Sequence, residues 1–236
     1  MTAHFVNLLD ELRRRSLRMA SQVEDIVQEA CEAVFTSDAS LAARVVSRDS
    51  DVDSAEVDVE TEVIRLMALY QPVGIDLRLL CTVLKVNNDL ERISDCAVNM
   101  AERARHLEVQ PVANQSSDLK QMVPTVRRVL RNAIKAYTDE DPESAKIVIS
   151  NDEAIDALYG QIVKSVVANA SRSPEIMAAH LDLLSIAKNL ERIADHATNI
   201  AEDVIFLSTG QIIRHRAADA WTDSDILDRH EPAPQS

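Results

Sequence analysis

The chain repeats itself at an interval of 100 residues. Residues 88–102 read Asn-Asp-Leu-Glu-Arg-Ile-Ser-Asp-Cys-Ala-Val-Asn-Met-Ala-Glu, and residues 188–202 read Lys-Asn-Leu-Glu-Arg-Ile-Ala-Asp-His-Ala-Thr-Asn-Ile-Ala-Glu. Nine of these fifteen positions are identical (90–93, 95, 97, 99, 101 and 102), where ordinary composition gives about one by chance. The apolar residues around the repeat carry a helical period. Leu79, Val83, Val86, Leu90, Ile93, Ala97, Met100 and Ala104 are separated by alternating steps of four and three, the rhythm of helices packed side by side. Each has a counterpart 100 residues on, at Ala179, Leu183, Ile186, Leu190, Ile193, Ala197, Ile200 and Val204. A repeat of this specificity means that one structural unit is built twice.

Prolines 72, 111, 142 and 174 separate the other helical segments, where proline is tolerated. The first segment, residues 4–35, has Phe5, Leu8, Leu12, Met19, Val23, Ile26 and Ala30 on one stripe. The second, Ser40 to Tyr70, has Val52, Ala55, Val59, Val63, Leu66 and Tyr70. In the second half, helices are predicted over Ser116–Thr138, Pro142–Ala170 and Pro174–Leu207, the first kinked or delayed by Pro124. The predicted fold is therefore all-α: a tandem repeat of two three-helix bundles, six long helices in total. A helix of about 32 residues is roughly 48 Å long, so each bundle is a rod. The expected division is residues 1–109, residues 110–208, and a poorly packed tail over 209–236 that contains Trp221.

Composition narrows the function. Only Gly74, Gly160 and Gly210 are present, so neither a P-loop nor a dinucleotide-binding glycine motif can be written. Aromatic residues make up 3% of the chain, too few for a turn-rich β fold. With 25 Lys and Arg against 39 Asp and Glu, the formal charge of −14 repels nucleic acid and anionic membrane surfaces and favours cations and basic partners. Cys31, Cys81 and Cys96 lie in no CxxC, which suits reduced thiols in a cytosol. No apolar run approaches the length of a bilayer span, and the N-terminus lacks the apolar centre of a signal peptide.

The repeat preserves polar residues as well as apolar ones. Glu91, Asp95 and Glu102 fall within roughly 40° of one another on a helix, away from the apolar seam, and so do Glu191, Asp195 and Glu202. Asn99 and Asn199 recur beside them. The preceding helix of each half carries a second acidic pair, Asp49 with Asp53 and Asp152 with Asp156. Such strips repel themselves unless a cation is near. Two readings fit. Arg92 and Arg192 neutralise a solvated face, or four carboxylates on two adjacent helices supply oxygen ligands to a hard cation, with Asn99, Glu102, Asn199 and Glu202 as further donors. His196 and Cys96 are read as packing residues, and the absence of imidazole ligands speaks against redox or hydrolytic catalysis. Cys31 and Cys81 are read as core, and Arg13, Arg14, Arg15 and Arg18 as a solvated basic face.

The twin Leu-Glu-Arg-Ile-x-Asp-x-Ala-x-Asn-x-Ala-Glu segments, Gln71-Pro72-Val73-Gly74-Ile75-Asp76-Leu77-Arg78, and the close Ala201 to Phe206 followed by Arg214 and His215 resemble the PhoU family over residues 4–215. The resemblance implies a cytoplasmic, non-enzymatic regulator of phosphate uptake. It implies partners in the ATP-binding subunit of a phosphate transporter and a sensor histidine kinase, with damping of the phosphate-starvation response. It implies assembly states that include a homodimer. It also implies iron or zinc on E(D)-x-x-x-D pairs, carried here by Asp49, Asp53, Glu91, Asp95, Asp152, Asp156, Glu191 and Asp195. The family often has Gly before the motif's Asp, where this chain has Ser94 and Ala194. The second half has no copy of the Gln-Pro…Asp-Leu-Arg segment, so a partner surface built on Asp76 and Arg78 is one-sided.

Two other functions are weighed against the adaptor. One is an accessory subunit of an ion-coupled phosphate transporter. The other is a metal-dependent phosphohydrolase, which needs cations to hold substrate oxygens where the strips offer no nearby lysine. With no phosphate-binding loop in the sequence, phosphate sensing is expected to be indirect, through partners.

Overall fold

The computed structural model describes residues 3–108, 112–150, 152–170 and 176–213. Among them are six long helices and two short ones. α1 (Ala3–Thr36), α2 (Ala39–Ser47), α3 (Asp49–Tyr70) and α4 (Ile75–Ala104) form the first half. Two 3-10 turns, Arg105–Glu108 and Val112–Gln115, lead to α5 (Ser117–Asp139), α6 (Pro142–Ile149), α7 (Asp152–Ala170) and α8 (Met177–Thr209). The described residues contain no strand.

Local chemistry sets the helix ends. Asp38 accepts hydrogen bonds from the Ser40 and Leu41 amides at the start of α2, and Asp141 accepts from Glu143 at the start of α6, with Pro142 in the first turn. Ser116 caps α5 through the Leu119 amide. Gly74 precedes α4 at φ +60° and ψ −127°, a conformation closed to side chains with a Cβ. Pro124 lies inside α5 without ending it. It is exposed, and the neighbouring Val123 and Val126 are buried, so packing holds the helix through the missing amide.

The second predicted helix of each half is in fact two. The first breaks at Arg48 and the second after Ser150. At the first break, two β-branched valines, Val45 and Val46, are followed by Ser47, and Asp49 and Asp51 then fall in the opening turn of a new helix, where carboxylates are favoured. The break therefore turns an acidic run into a helix N-terminus.

One apolar core runs through both halves, from Met19 on α1 to Ile205 on α8. A smaller cluster of Phe5, Leu9, Leu12, Val59, Val63, Leu66, Leu80 and Val83 fills the end of the first half. The halves meet chiefly along α4 and α8, and secondarily along α1 and α5. α4 and α8 are antiparallel and centred on Ile93 and Ile193, equivalent residues of the repeat, so the halves are related by a pseudo-two-fold axis there.

Candidate functional site

The hairpin of α3 and α4 brings Asp49 beside the middle of α4, where the buried Ser94 hydroxyl donates to its carboxylate at 3.4 Å. Partial burial raises the Asp49 carboxyl above the usual range, and the charges of Asp53, Asp95 and Glu102 add to it. Glu91 is raised by burial, then by Asp95, with Glu56 and Asp53 adding and Arg92 opposing. The structure thus gathers Asp49, Asp53, Glu91 and Asp95 in one field. It adds a residue the sequence reading missed: Glu56, raised by burial and by Glu60 and Asp53. The signal was present, since Asp49, Asp53, Glu56 and Glu60 follow steps of four, three and four.

Arg92 is the counter-charge. Its Nε lies 3.3 Å from Glu91 and its Nη1 3.3 Å from Asp95. Among the described residues, no three His, Cys, Asp or Glu side chains stand close enough together to hold a metal ion as they lie. The donors fit a hard cation in kind, being carboxylates in excess of positive charge. Gathering them on one ion requires the half-exposed Arg92 to swing into solvent.

The second half is not equivalent. Asp152 opens α7, and its side chain lies outside the described residues. Asp156 and Asp195 are exposed. Glu191 is half-buried and accepts from Lys188 at 2.7 Å, so the second strip, expected to have no nearby lysine, has one where the first half has Asn88. In register with Glu56 stands Tyr159, its ring 5.4 Å from Lys188 Nζ. Ala194 cannot donate as Ser94 does. Asn99 and Glu102 are exposed, and Glu202 is half-buried. The Asn199 amide donates to Asp89 on α4 at 3.2 Å.

That last contact belongs to the junction of the halves. His196 was expected to be a packing residue, but its Nδ1 lies 2.8 Å from the buried Asp89 carboxylate. Helical period alone did not pair the two because they are 107 residues apart. Cys96, the repeat counterpart of His196, is fully buried. Lys85 reaches the buried Asp203 at 2.8 Å and sits over the Phe206 ring. Cys81, expected in the core, is only half-buried.

The arginines of α1 are not a free basic face. Arg14, Arg15 and Arg18 converge on Glu11. Arg13 pairs with Glu140 at 2.9 Å and donates to the Thr138 carbonyl at the end of α5. Asp76 and Arg78 lie in the first turns of α4, with Arg78 packed against Gly210 at the end of α8.

Fold and site together define a tandem helical-bundle protein whose halves meet in a shared core and whose first half carries a face of crowded carboxylates. The family model of the PhoU domain matches twice, over residues 16–104 and 119–204, and the chain belongs to the PhoU family. It is 35% identical to the phosphate-specific transport system accessory protein PhoU homolog of Aquifex aeolicus, over 88% of this chain and 94% of that one. The homolog of Caulobacter vibrioides is 36% identical over 89% and 94%. The crystal structure of PhoU from Pseudomonas aeruginosa superposes with a TM-score of 0.82 at 31% identity, covering 88% of this chain and all of that one. The phosphate transport system regulatory protein PhoU from Streptococcus pneumoniae has a TM-score of 0.81 at 26% identity.

Proposed function

We propose that the chain regulates phosphate uptake from the cytoplasm, as an adaptor between the ATP-binding subunit of a phosphate transporter and a sensor histidine kinase. In this reading it restrains uptake and the starvation response when phosphate is plentiful, and it catalyses no reaction. The supporting observation is the extent of the match: relatives named as phosphate transport accessory proteins align over nearly all of both chains, through both halves of the repeat. Among the described residues no helix is long and apolar enough to cross a membrane. Asp76 and Arg78, on the one-sided segment that opens α4, are the residues assigned to partner contact. A homodimer is part of the same reading.

The carboxylates serve as sites for iron or zinc. Asp49, Asp53, Glu91 and Asp95 would hold ions in the first half, with Glu56 beside them, and Asp152, Asp156, Glu191 and Asp195 in the second. A bound cation supplies the positive charge that now comes from Arg92 and Lys188. The burial, and after it the neighbouring carboxylate charge, that raise Asp49, Glu56 and Glu91 support the first-half site as the stronger.

Deletion of the gene tests the role. The expected result is expression of phosphate-starvation genes in phosphate-rich medium, reversed by the intact chain. Unchanged repression in the deletion strain contradicts the reading.

A further inference from the structure

Pro72 and Val73 lie between two residues at positive φ, Gln71 at +45° and Gly74 at +60°. Proline fixes its own φ as well, so the connection from α3 to α4 has little freedom to fold its apolar side chains inward. Val73 is left 79% exposed, and Ile75, the first residue of α4, 59%. Both border a groove with two hollows. One, of about 360 Å³, is walled by Pro72, Val73 and the stacked rings of Phe5 and Tyr70. The other, of about 270 Å³, lies between Val6 and Leu9 of α1, Leu79 of α4 and Leu207 of α8. Ile75 and Asp76 line both. An exposed apolar concavity rimmed by polar residues is the form of an interaction site.

The charges around the groove select its occupant. Asp10, Asp76 and Glu140 line it against one base, Arg13. Arg13 is already engaged, 2.9 Å from Glu140, and Arg78 packs against Gly210. Among the described residues no ion pair neutralises Asp10 or Asp76. The groove is therefore apolar along its floor and net negative at its rim. Like charge disfavours an anionic membrane surface. It also disfavours a second copy docked through the same face, because a two-fold contact sets Asp10 and Asp76 against their own equivalents. We propose that the groove takes an amphipathic helix of a partner protein whose polar face is basic. Apolar side chains from one face of that helix fill the hollows, and its lysines or arginines meet Asp10 and Asp76. The inference rests on the adaptor reading and supplies the partner's chemistry at the opening of α4. The segment from Gln71 to Arg78 has no copy in the second half, so one helix is expected per chain.

The probe is a fluorescein-labelled peptide of leucine and lysine, about 18 residues long, with its leucines on one helical face. Anisotropy titration with the full chain should show saturable binding of one peptide per chain, roughly tenfold tighter than for an isomer of the same composition with its leucines scattered. The Val73→Glu, Ile75→Glu double variant should weaken binding roughly tenfold with helical circular dichroism retained, although its added carboxylates would by charge alone tighten it. The Val73→Glu single variant, at the more exposed position, gives the same direction should the double variant fold poorly. Asp10→Asn, Asp76→Asn should weaken binding several-fold and flatten its salt dependence. Val57→Glu, on the exposed side of α3, should not weaken it. Equal binding of the scattered isomer overturns the proposal, and so do groove variants that bind as tightly as the intact chain. Dimerisation of the intact chain that the groove variants abolish gives the groove to a second copy, and binding to phosphatidylglycerol vesicles that they abolish gives it to a membrane. Either outcome also overturns the proposal. The adaptor role is judged separately by the deletion strain, so a peptide that does not bind overturns the groove assignment while loss of repression in that strain leaves the adaptor role standing.

Discussion

His196 on α8 meets Asp89 on α4 across the junction of the two halves, with Nδ1 and Oδ1 2.8 Å apart. The pseudo-two-fold axis places Cys96 and Asn189 at the equivalent positions, and there the link is absent: Cys96 is buried and Asn189 donates to its own helix at Ser185. The histidine–carboxylate link is therefore made on one side of the axis only, while on the other side Arg103 of α4 lies 3.7 Å from Asp182 of α8.

Replacing His196 with Ala leaves the buried Asp89 carboxylate with Asn199 as its remaining hydrogen-bond donor. The expected loss of stability is about 3 kcal/mol, read by chemical denaturation. The double variant Asp89→Asn, His196→Cys copies the other side of the junction and should cost less than His196→Ala alone. Asp89→Asn should cost less in the His196→Cys background than in the intact chain, and equal costs in the two backgrounds would show that the pair is not coupled.

Ser16 and Tyr137 join α1 to α5 through a buried hydrogen bond of 2.9 Å. Burial pushes the Tyr137 hydroxyl up to about 12, against a smaller opposing effect of Ser16. A raised folded value means that stability is fully present below the ordinary tyrosine value near pH 10 and is lost as pH rises toward 12. Tyr137→Phe should cost about 1 kcal/mol at neutral pH and flatten the fall in Tm between those limits.

The thiols divide by burial. Cys31 is pushed up to about 12 and Cys96 to about 11, in each case chiefly by burial, so both should resist a thiol reagent at neutral pH until the chain unfolds. Cys81, half-buried, should label first in the native protein. Mass spectrometry after brief labelling shows the order.

The carboxylate face gives a signed response to pH and cations. Asp49, Glu56 and Glu91 all have folded values above their ordinary ones, so their contribution favours the fold at low pH and is lost as pH rises through those values. Zinc or ferrous iron at a hundred times its Kd should raise stability by about 2.7 kcal/mol, and at one fixed metal concentration the gain should be larger at pH 7 than at pH 5. Glu91→Ala, Asp95→Ala should remove the first-half ions from elemental analysis with helicity intact. Arg92→Ala should tighten binding, because it removes the competing cation. No change in Tm on adding either metal supports a solvated face instead.

Much of this was legible before coordinates. The interval of 100 residues gave α4, α8 and their buried stripes, because burial and helical period write the same pattern in both copies. The acidic pairs were visible for the same reason. What the sequence hid is non-local. Nothing near Asp89 announces His196, and nothing near Arg13 announces Glu140, since each pair forms only when the halves dock. The breaks at Arg48 and Ser150 were hidden because the residues on both sides keep helical character. Of the tail expected over 209–236, Thr209 ends α8 and Ile213 is buried, while residues 214–236, with Trp221, fall outside the described residues, as does the side chain of Asp152.

The most direct test of the adaptor role is the affinity of the purified full chain for the ATP-binding subunit of the phosphate transporter from the same organism. Saturable binding, weakened by Asp76→Ala and Arg78→Ala in a chain that keeps its helicity, is the predicted result. No binding to that subunit, with or without added iron or zinc, contradicts it.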